Sequence, residues 1–268
     1  MLLSTVVIAQ QDNSSTPEQC NNTVVVTGYW PPTNEMLRHL SANSQQNPGG
    51  WQGENWRNTG YNVYAYFPEF PPDGDPTNDA IGEPGSVGAM DADFQVDYQD
   101  TSADFWRIMD RHQPRILITT SRGGDIGWEL EAVEGGHGQA SEWTSDRWGQ
   151  VTHPLAGSID PRSTTMVERH ATHRLRSALP LALIKQQTAA MKLTDVAIDD
   201  NTSGSYLSGF MGLHGLFYHQ THLHNVAAGH VHVGRHVSVY DARRLLETTL
   251  ATVLQVHPLV TNCGQPGD

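Results

Sequence analysis

The chain has 268 residues, a formal net charge of −13 and 37% hydrophobic residues. This suits one α/β domain with inserted loops, and the recurring apolar runs exclude a disordered chain. The acidic balance argues against a nucleic-acid partner, and no apolar run is long enough to span a bilayer.

Lys185 and Lys192 are the only lysines. A lysine-poor acidic surface fits a salt-exposed or exported protein, and equally a genome whose codons favour Arg. Residues 1–22 form an N-terminal segment. In it the apolar run Leu2–Ala9 has the look of a signal-peptide remnant without a basic start. The expectation is therefore a secreted or periplasmic protein, cytoplasmic otherwise. Cys20 and Cys263 lie near opposite ends. In an oxidising compartment they pair, closing a loop whose entropic stabilisation is about 4–5 kcal/mol at most; two free thiols are the alternative.

Residues 23–268 read as one domain. Thr23–Thr27 is a β-branched run that predicts a buried strand, and Asn34–Leu40 a helix capped by Thr33. Tyr61–Phe67 predicts a second, aromatic strand. An insertion follows at 68–95, rich in Pro, Gly and Asp. Ala103–His112 predicts an amphipathic helix with Thr101 or Ser102 as its cap. Pro114 ends it, and Ile116–Thr120 predicts the next buried strand. Ile126–Val133 follows, then a second insertion at 135–170 with two tryptophans, Trp143 and Trp148. Arg174–Met191 has a helical pattern, Asp195–Asp199 that of a strand, and Tyr240–Val256 that of an amphipathic helix with Leu245, Leu246, Leu250 and Val253 on one side. Strands alternating with helices predict an α/β fold: a three-layer α/β/α sandwich around a mixed, largely parallel sheet.

Thr202–Gly234 is the stretch with most chemistry. It reads as a turn, an apolar helix from Ser205, and a strand carrying His230 and His232 on one face. Ser208 lies 24 positions before His232. A hydroxyl in the first helical turn lies where backbone N–H groups and the helix dipole stabilise an oxyanion, and a nearby imidazole is its natural base. Glu129 is a candidate to orient that imidazole, with Glu131 and Glu134 as competitors. His230 and His232, with His214, His219, His222, His224 and His236, are also candidate metal ligands, although no H-E-x-x-H or Cys-rich pattern accompanies them.

In order along the chain, five segments resemble the pyroglutamyl peptidase I (pyrrolidone-carboxylate peptidase) family. Val24-Val-Val-Thr-Gly-Tyr is similar to its first strand. Ile126-Gly-Trp-Glu-Leu-Glu-Ala-Val resembles I-x-x-E-R-x-A-x-N, and Arg174–Ile184 resembles F-S-T-L-P-V-K-A-I. Ser203-Gly-Ser-Tyr-Leu-Ser-Gly resembles A-G-x-Y-x-C-N, and Ala228-Gly-His-Val-His-Val-Gly resembles A-G-F-I-H-V-P. The resemblance implies a phosphorylase/hydrolase-like fold and a peptidase-like hydrolase. Its nucleophile would be Ser208, in the position of the family's cysteine, with His232 as base and Glu129 as the catalytic glutamate. Tyr29, Trp30, Trp128 and Leu207, which flank these motifs, are the expected substrate contacts. The resemblance implies no cofactor, a small-molecule or peptide substrate, and a possible homo-oligomer. A catalytically inactive ligand-binding homologue is the alternative, followed by a His-based metal-dependent enzyme. Three departures stand out: Gly209 replaces the family's Asn, Gly234 its Pro, and Trp30-Pro-Pro-Thr its P-F-G-G segment.

Overall fold

The computed structural model describes residues 21–44, 46–68, 97–137, 139–146, 151–155, 174–201 and 204–259. Expectations for the N-terminal apolar run, Cys20, Cys263, Trp148 and most of both insertions fall outside these residues.

The strands are β1 (Thr23–Thr27), β2 (Asn62–Tyr66), β3 (Ile116–Gly123), β4 (Trp128–Glu131), β5 (Val133–Gly135), β6 (Arg174–Arg176), β7 (Val196–Asp199) and β8 (Ala227–Gly234). The helices are α1 (Thr33–Leu37), α2 (Tyr98–His112), α3 (Leu181–Ala190), α4 (Leu207–Thr221) and α5 (Val239–Val256). Six strands form the central sheet in the order β2-β1-β3-β8-β4-β7, and β5 and β6 make a separate two-stranded sheet. β2, β1, β3 and β8 run parallel. β4 and β7 run parallel to each other, and β4 is antiparallel to β8. The β8–β4 seam is thus where the sheet reverses direction, and there Glu129 lies opposite His232 and Glu131 opposite His230.

Strand alternation sorts side chains between two helical layers. Val24, Val26, Ile116, Ile118, Val231, Val233, Trp128 and Leu130 join one core, which includes Met36 and Leu37 of α1, Ile184 of α3 and the apolar stripe of α5. Val25, Leu117 and Ala228 join the other, with Phe105 and Trp106 of α2 and Phe210, Met211 and Leu213 of α4. The expected three-layer α/β/α sandwich and its mixed, mostly parallel sheet are borne out.

Three boundaries differ from expectation. α2 begins at Tyr98, because Asp97, not Thr101 or Ser102, is the cap: its Oδ1 accepts from the N–H of Gln99 at 2.7 Å and of Asp100 at 3.1 Å. Arg174–Arg176 is a strand, and the helix starts only at Leu181 with Pro180 as its N-cap residue. Proline steers the residue before it, Leu179, away from helical backbone, so the helix begins only beyond Pro180. Thr33 is the first residue of α1 and does not cap it; its hydroxyl accepts from the Tyr29 N–H and donates to the Trp30 carbonyl.

Candidate functional site

β8 supplies the central side chain. Alternation turns His230 and His232 toward the α4 side of the sheet, and their environments differ sharply. His230 is fully buried, with Nδ1 2.8 Å from Thr119 Oγ1 and Nε2 2.9 Å from Ser121 Oγ. Burial holds its imidazole well below the ordinary value. With both nitrogens engaged, it is a structural histidine and offers nothing to a metal. His232 places Nδ1 2.7 Å from Glu131 Oε1 and 4.0 Å from Glu129 Oε2. A neutral imidazole that donates Nδ1–H to this carboxylate leaves the Nε2 lone pair free to accept a proton.

The carboxylate bonded to His232 is therefore Glu131 rather than the expected Glu129. Both point to the same face, because a shift of two residues along a strand preserves the side. Glu131 is 1% exposed, and its Oε2 has no hydrogen-bond partner. Glu129 is half-buried. Burial, then the neighbouring Glu131 charge, raises its carboxyl above the ordinary range, while His232 opposes that rise. Glu134 is buried against α4, where a Cβ on Gly212 would stand 2.5 Å from its Oε1.

Around this pair lies an open pocket of about 340 Å³ lined by Arg122, Gly123, Gly124, Glu129, Glu131, Asp199, Gly204 and His232. Asp199 reaches it because β7 pairs with β4 in a register that sets it beside Glu131. Gly123 is required by close approach: a Cβ there would lie 2.8 Å from His232 Cβ. Arg122, exposed at the pocket edge, holds its guanidinium 5.1 Å from the Trp30 ring centre. Trp30 in turn stacks on Tyr206, with centroids 6.1 Å apart and planes at 11°.

Ser208 is the second residue of α4 and is half-buried. Among the described residues no side-chain hydrogen bond caps this helix start, and α4 packs across β3 and β8. The first N–H groups of a helix lack intrahelical partners, so this end suits an anion. Gly209 follows because a Cβ there would meet the Gly204 carbonyl oxygen at 2.2 Å. The elements carrying Ser208 and His232 are thus neighbours, but no hydrogen bond joins the two side chains.

The other expected residues divide. Trp30 stands near the rim. Tyr29 is buried, its hydroxyl 2.8 Å from Thr101 Oγ1, and burial pushes that hydroxyl up. Leu207 is buried among the α2 and α4 side chains. Trp128 is wholly buried on the far face of β4, in the core with α1, α3 and α5. Alternation with Glu129 sends it there and leaves it no surface to offer a substrate.

The histidines of α4 and the turn after it are structural partners. His214 bonds the Phe210 carbonyl and Ser102, His219 bonds Asn225, and His224 bonds the Tyr218 hydroxyl. Among the described residues, Glu129, Glu131 and His232 are the group whose donor atoms come together, within 4.8 Å of one another. Arg122, Gly123 and Asp199 went unnoticed in the sequence. The signal for Asp199 was its place at the end of a strand just before the turn into α4.

No protein-family model matches the chain, and no curated protein sequence matches it. Solved structures do. The chain is similar to the pyrrolidone carboxyl peptidase of Thermococcus litoralis at 12% identity and a TM-score of 0.58, over 88% of this chain and 94% of that one. It is similar to pyroglutamyl peptidase I of Bacillus amyloliquefaciens at 13% identity and a TM-score of 0.57, over 89% of this chain and all of that one. A pyrrolidone carboxyl peptidase from Pyrococcus furiosus gives 13%, 0.57, 88% and 99%. At these identities the likeness establishes the fold.

Proposed function

We propose that the protein is a hydrolase of amide or ester bonds in a peptide or small molecule, with Ser208 as nucleophile. His232 acts as general base and acid, and Glu131 orients it, with Glu129 as the second carboxylate. The observation that carries this reading is the Glu131–His232 hydrogen bond of 2.7 Å beside an open pocket, on the strand against which the Ser208 helix packs. The similarity to peptidases of this fold supports it at the level of reaction class.

The chemistry follows from the proton inventory. His232 Nε2 takes the Ser208 proton as Oγ bonds the substrate carbonyl carbon, and the oxyanion faces the N-terminal N–H groups of α4. The imidazolium is stabilised by Glu131 and returns the proton to the leaving nitrogen or oxygen as that bond breaks. Water then repeats the cycle on the acyl-enzyme and frees Ser208. A hydroxyl is a weaker nucleophile than a thiolate at neutral pH, so this depends on an aligned base. Ser208 and His232 draw together in the substrate complex, as catalytic hydrogen bonds often do.

The acyl group accepted is set by the wall near Trp30 and Tyr206, where Trp30-Pro-Pro-Thr replaces the residues expected for a pyroglutamyl pocket. Hydrolysis of a panel of aryl esters and amino-acid amides by wild type and by Ser208→Ala tests the proposal. The variant is expected to lose at least about 10³-fold in kcat/KM. Equal turnover by both proteins overturns it. One observation favours a second reading, a ligand-binding homologue without turnover: the lack of a hydrogen bond between Ser208 and His232. That reading predicts ligand binding with no turnover by either protein.

A further inference from the structure

The site just described holds more negative charge than one imidazole requires. Glu129, Glu131 and Asp199 all line the pocket beside His232. Arg122, the cation of the lining, lays its guanidinium over Trp30. Glu131 uses only one oxygen on His232; Oε2 is buried and has no partner. A buried carboxylate oxygen without a donor is costly, and it calls for a proton or a cation. The three donor atoms within 4.8 Å supply two carboxylates and one imidazole.

We propose that Glu129, Glu131 and His232 bind one divalent transition-metal ion of the zinc class. The imidazole selects against Mg²⁺ and Ca²⁺, which favour all-oxygen sets. Three protein ligands leave the fourth position of a tetrahedral ion open to the pocket. Ligand atoms about 2.0–2.2 Å from a tetrahedral ion stand about 3.3–3.6 Å apart, so on loading the 2.7 Å His232–Glu131 hydrogen bond gives way to the ion and half-buried Glu129, 4.0 Å from Nδ1, closes in. The histidine nitrogen nearest both carboxylates is Nδ1. When the ion takes Nδ1, the ring proton moves to Nε2. The imidazole stays neutral, but its outward nitrogen becomes a donor and cannot accept the Ser208 proton. The ion is therefore a reversible off-switch for the hydrolase; this consequence, unlike the binding itself, rests on the proposed Ser208–His232 chemistry.

The test is calorimetric titration of ZnCl₂ into the chelator-stripped, tag-free full chain, with MgCl₂ alongside. One equivalent of Zn²⁺ is expected to bind, with no measurable Mg²⁺ binding. Glu131→Gln and the less buried Glu129→Gln should each weaken Zn²⁺ at least tenfold, with far-UV dichroism checking the fold, while Ser208→Ala should bind as wild type does. No Zn²⁺ binding, Zn²⁺ binding untouched by Glu129→Gln in a folded protein, or equal Mg²⁺ binding overturns the proposal. Fluorophosphonate labelling separates the two ideas. Labelling of the metal-free protein that Zn²⁺ suppresses supports the switch. Labelling unaffected by bound Zn²⁺ overturns the switch alone. Zn²⁺ binding without any labelling refutes the hydrolase and leaves the metal site standing.

Discussion

The two faces of the central sheet are built from the same strands but carry opposite chemistry. Toward α1, α3 and α5 the strands present Val24, Val26, Ile116, Ile118, Leu130, Val231, Val233 and Trp128, all buried and all apolar. Toward α2 and α4, β3, β4 and β8 present Thr119, Ser121, Glu129, Glu131, His230 and His232. One face is a largely apolar core, in which the buried Thr120 hydroxyl donates to the Thr27 carbonyl. The other buries titratable groups and must satisfy each of them. His230 is satisfied on both sides, whereas His232 and Glu131 each keep one atom in reserve. The difference shows where the fold gives up packing for reactivity: at the reversed β8–β4 seam, and on one side only.

The comparison breaks first at Glu131. Glu131→Gln keeps the shape but removes the charge that holds His232, and it is expected to cut kcat by about 10²–10⁴-fold with KM little changed. Steady-state kinetics check this, and an unchanged kcat would transfer the orienting role to Glu129. On the other face, Trp128→Ala should cost about 3–5 kcal/mol through cavity formation, read by urea denaturation. A cost under about 1 kcal/mol would place Trp128 outside the core.

The apolar side also has its own histidine. His39 is buried, and burial together with the Arg243 guanidinium lowers it to about 4. Its 3.4 Å approach to Glu247 is thus not an ion pair at neutral pH. The unfolded imidazole titrates near 6.5, so above that pH neither state is charged and nothing is lost. As pH falls from about 6.5 to 4, the unfolded chain binds a proton that the folded chain refuses, and stability drops by up to about 3 kcal/mol. His112, lowered to about 4 mainly by burial, acts in the same direction. Denaturation midpoints between pH 7 and 4 should fall, and less steeply in His39→Leu; parallel slopes would contradict the assignment. At the small end, Asp125→Ala removes an exposed 2.8 Å contact with Arg235 and should change stability by less than about 0.5 kcal/mol. A larger loss would mean that this pair supports the β3–β4 connection.

Much of the frame was legible in the sequence. The β-branched runs of β1 and β3 and the 3.6-residue spacing of Leu245, Leu246, Leu250 and Val253 announce themselves locally. β6 was missed because three residues with one buried side chain, Leu175, carry no period to read. The α2 start was missed because Thr101, Ser102 and Asp97 are all good caps, and only tertiary context chooses among them. At the site, alternation along β8 put His230 and His232 on one face, and Glu129, Glu131 and Glu134 all stood as candidate carboxylates. Choosing between two carboxylates two residues apart needs side-chain distances at the β4–β8 seam, which no local pattern holds. Trp128 shows the limit of reading a contact from a neighbouring motif, since a residue adjacent to Glu129 in sequence faces the opposite side of the sheet.

The account turns on whether Ser208 is a nucleophile activated by His232. Labelling metal-free protein with a fluorophosphonate and mapping the modified peptide asks this directly. The account predicts one adduct, on Ser208, lost in His232→Ala; no adduct, or one on another residue, would contradict it.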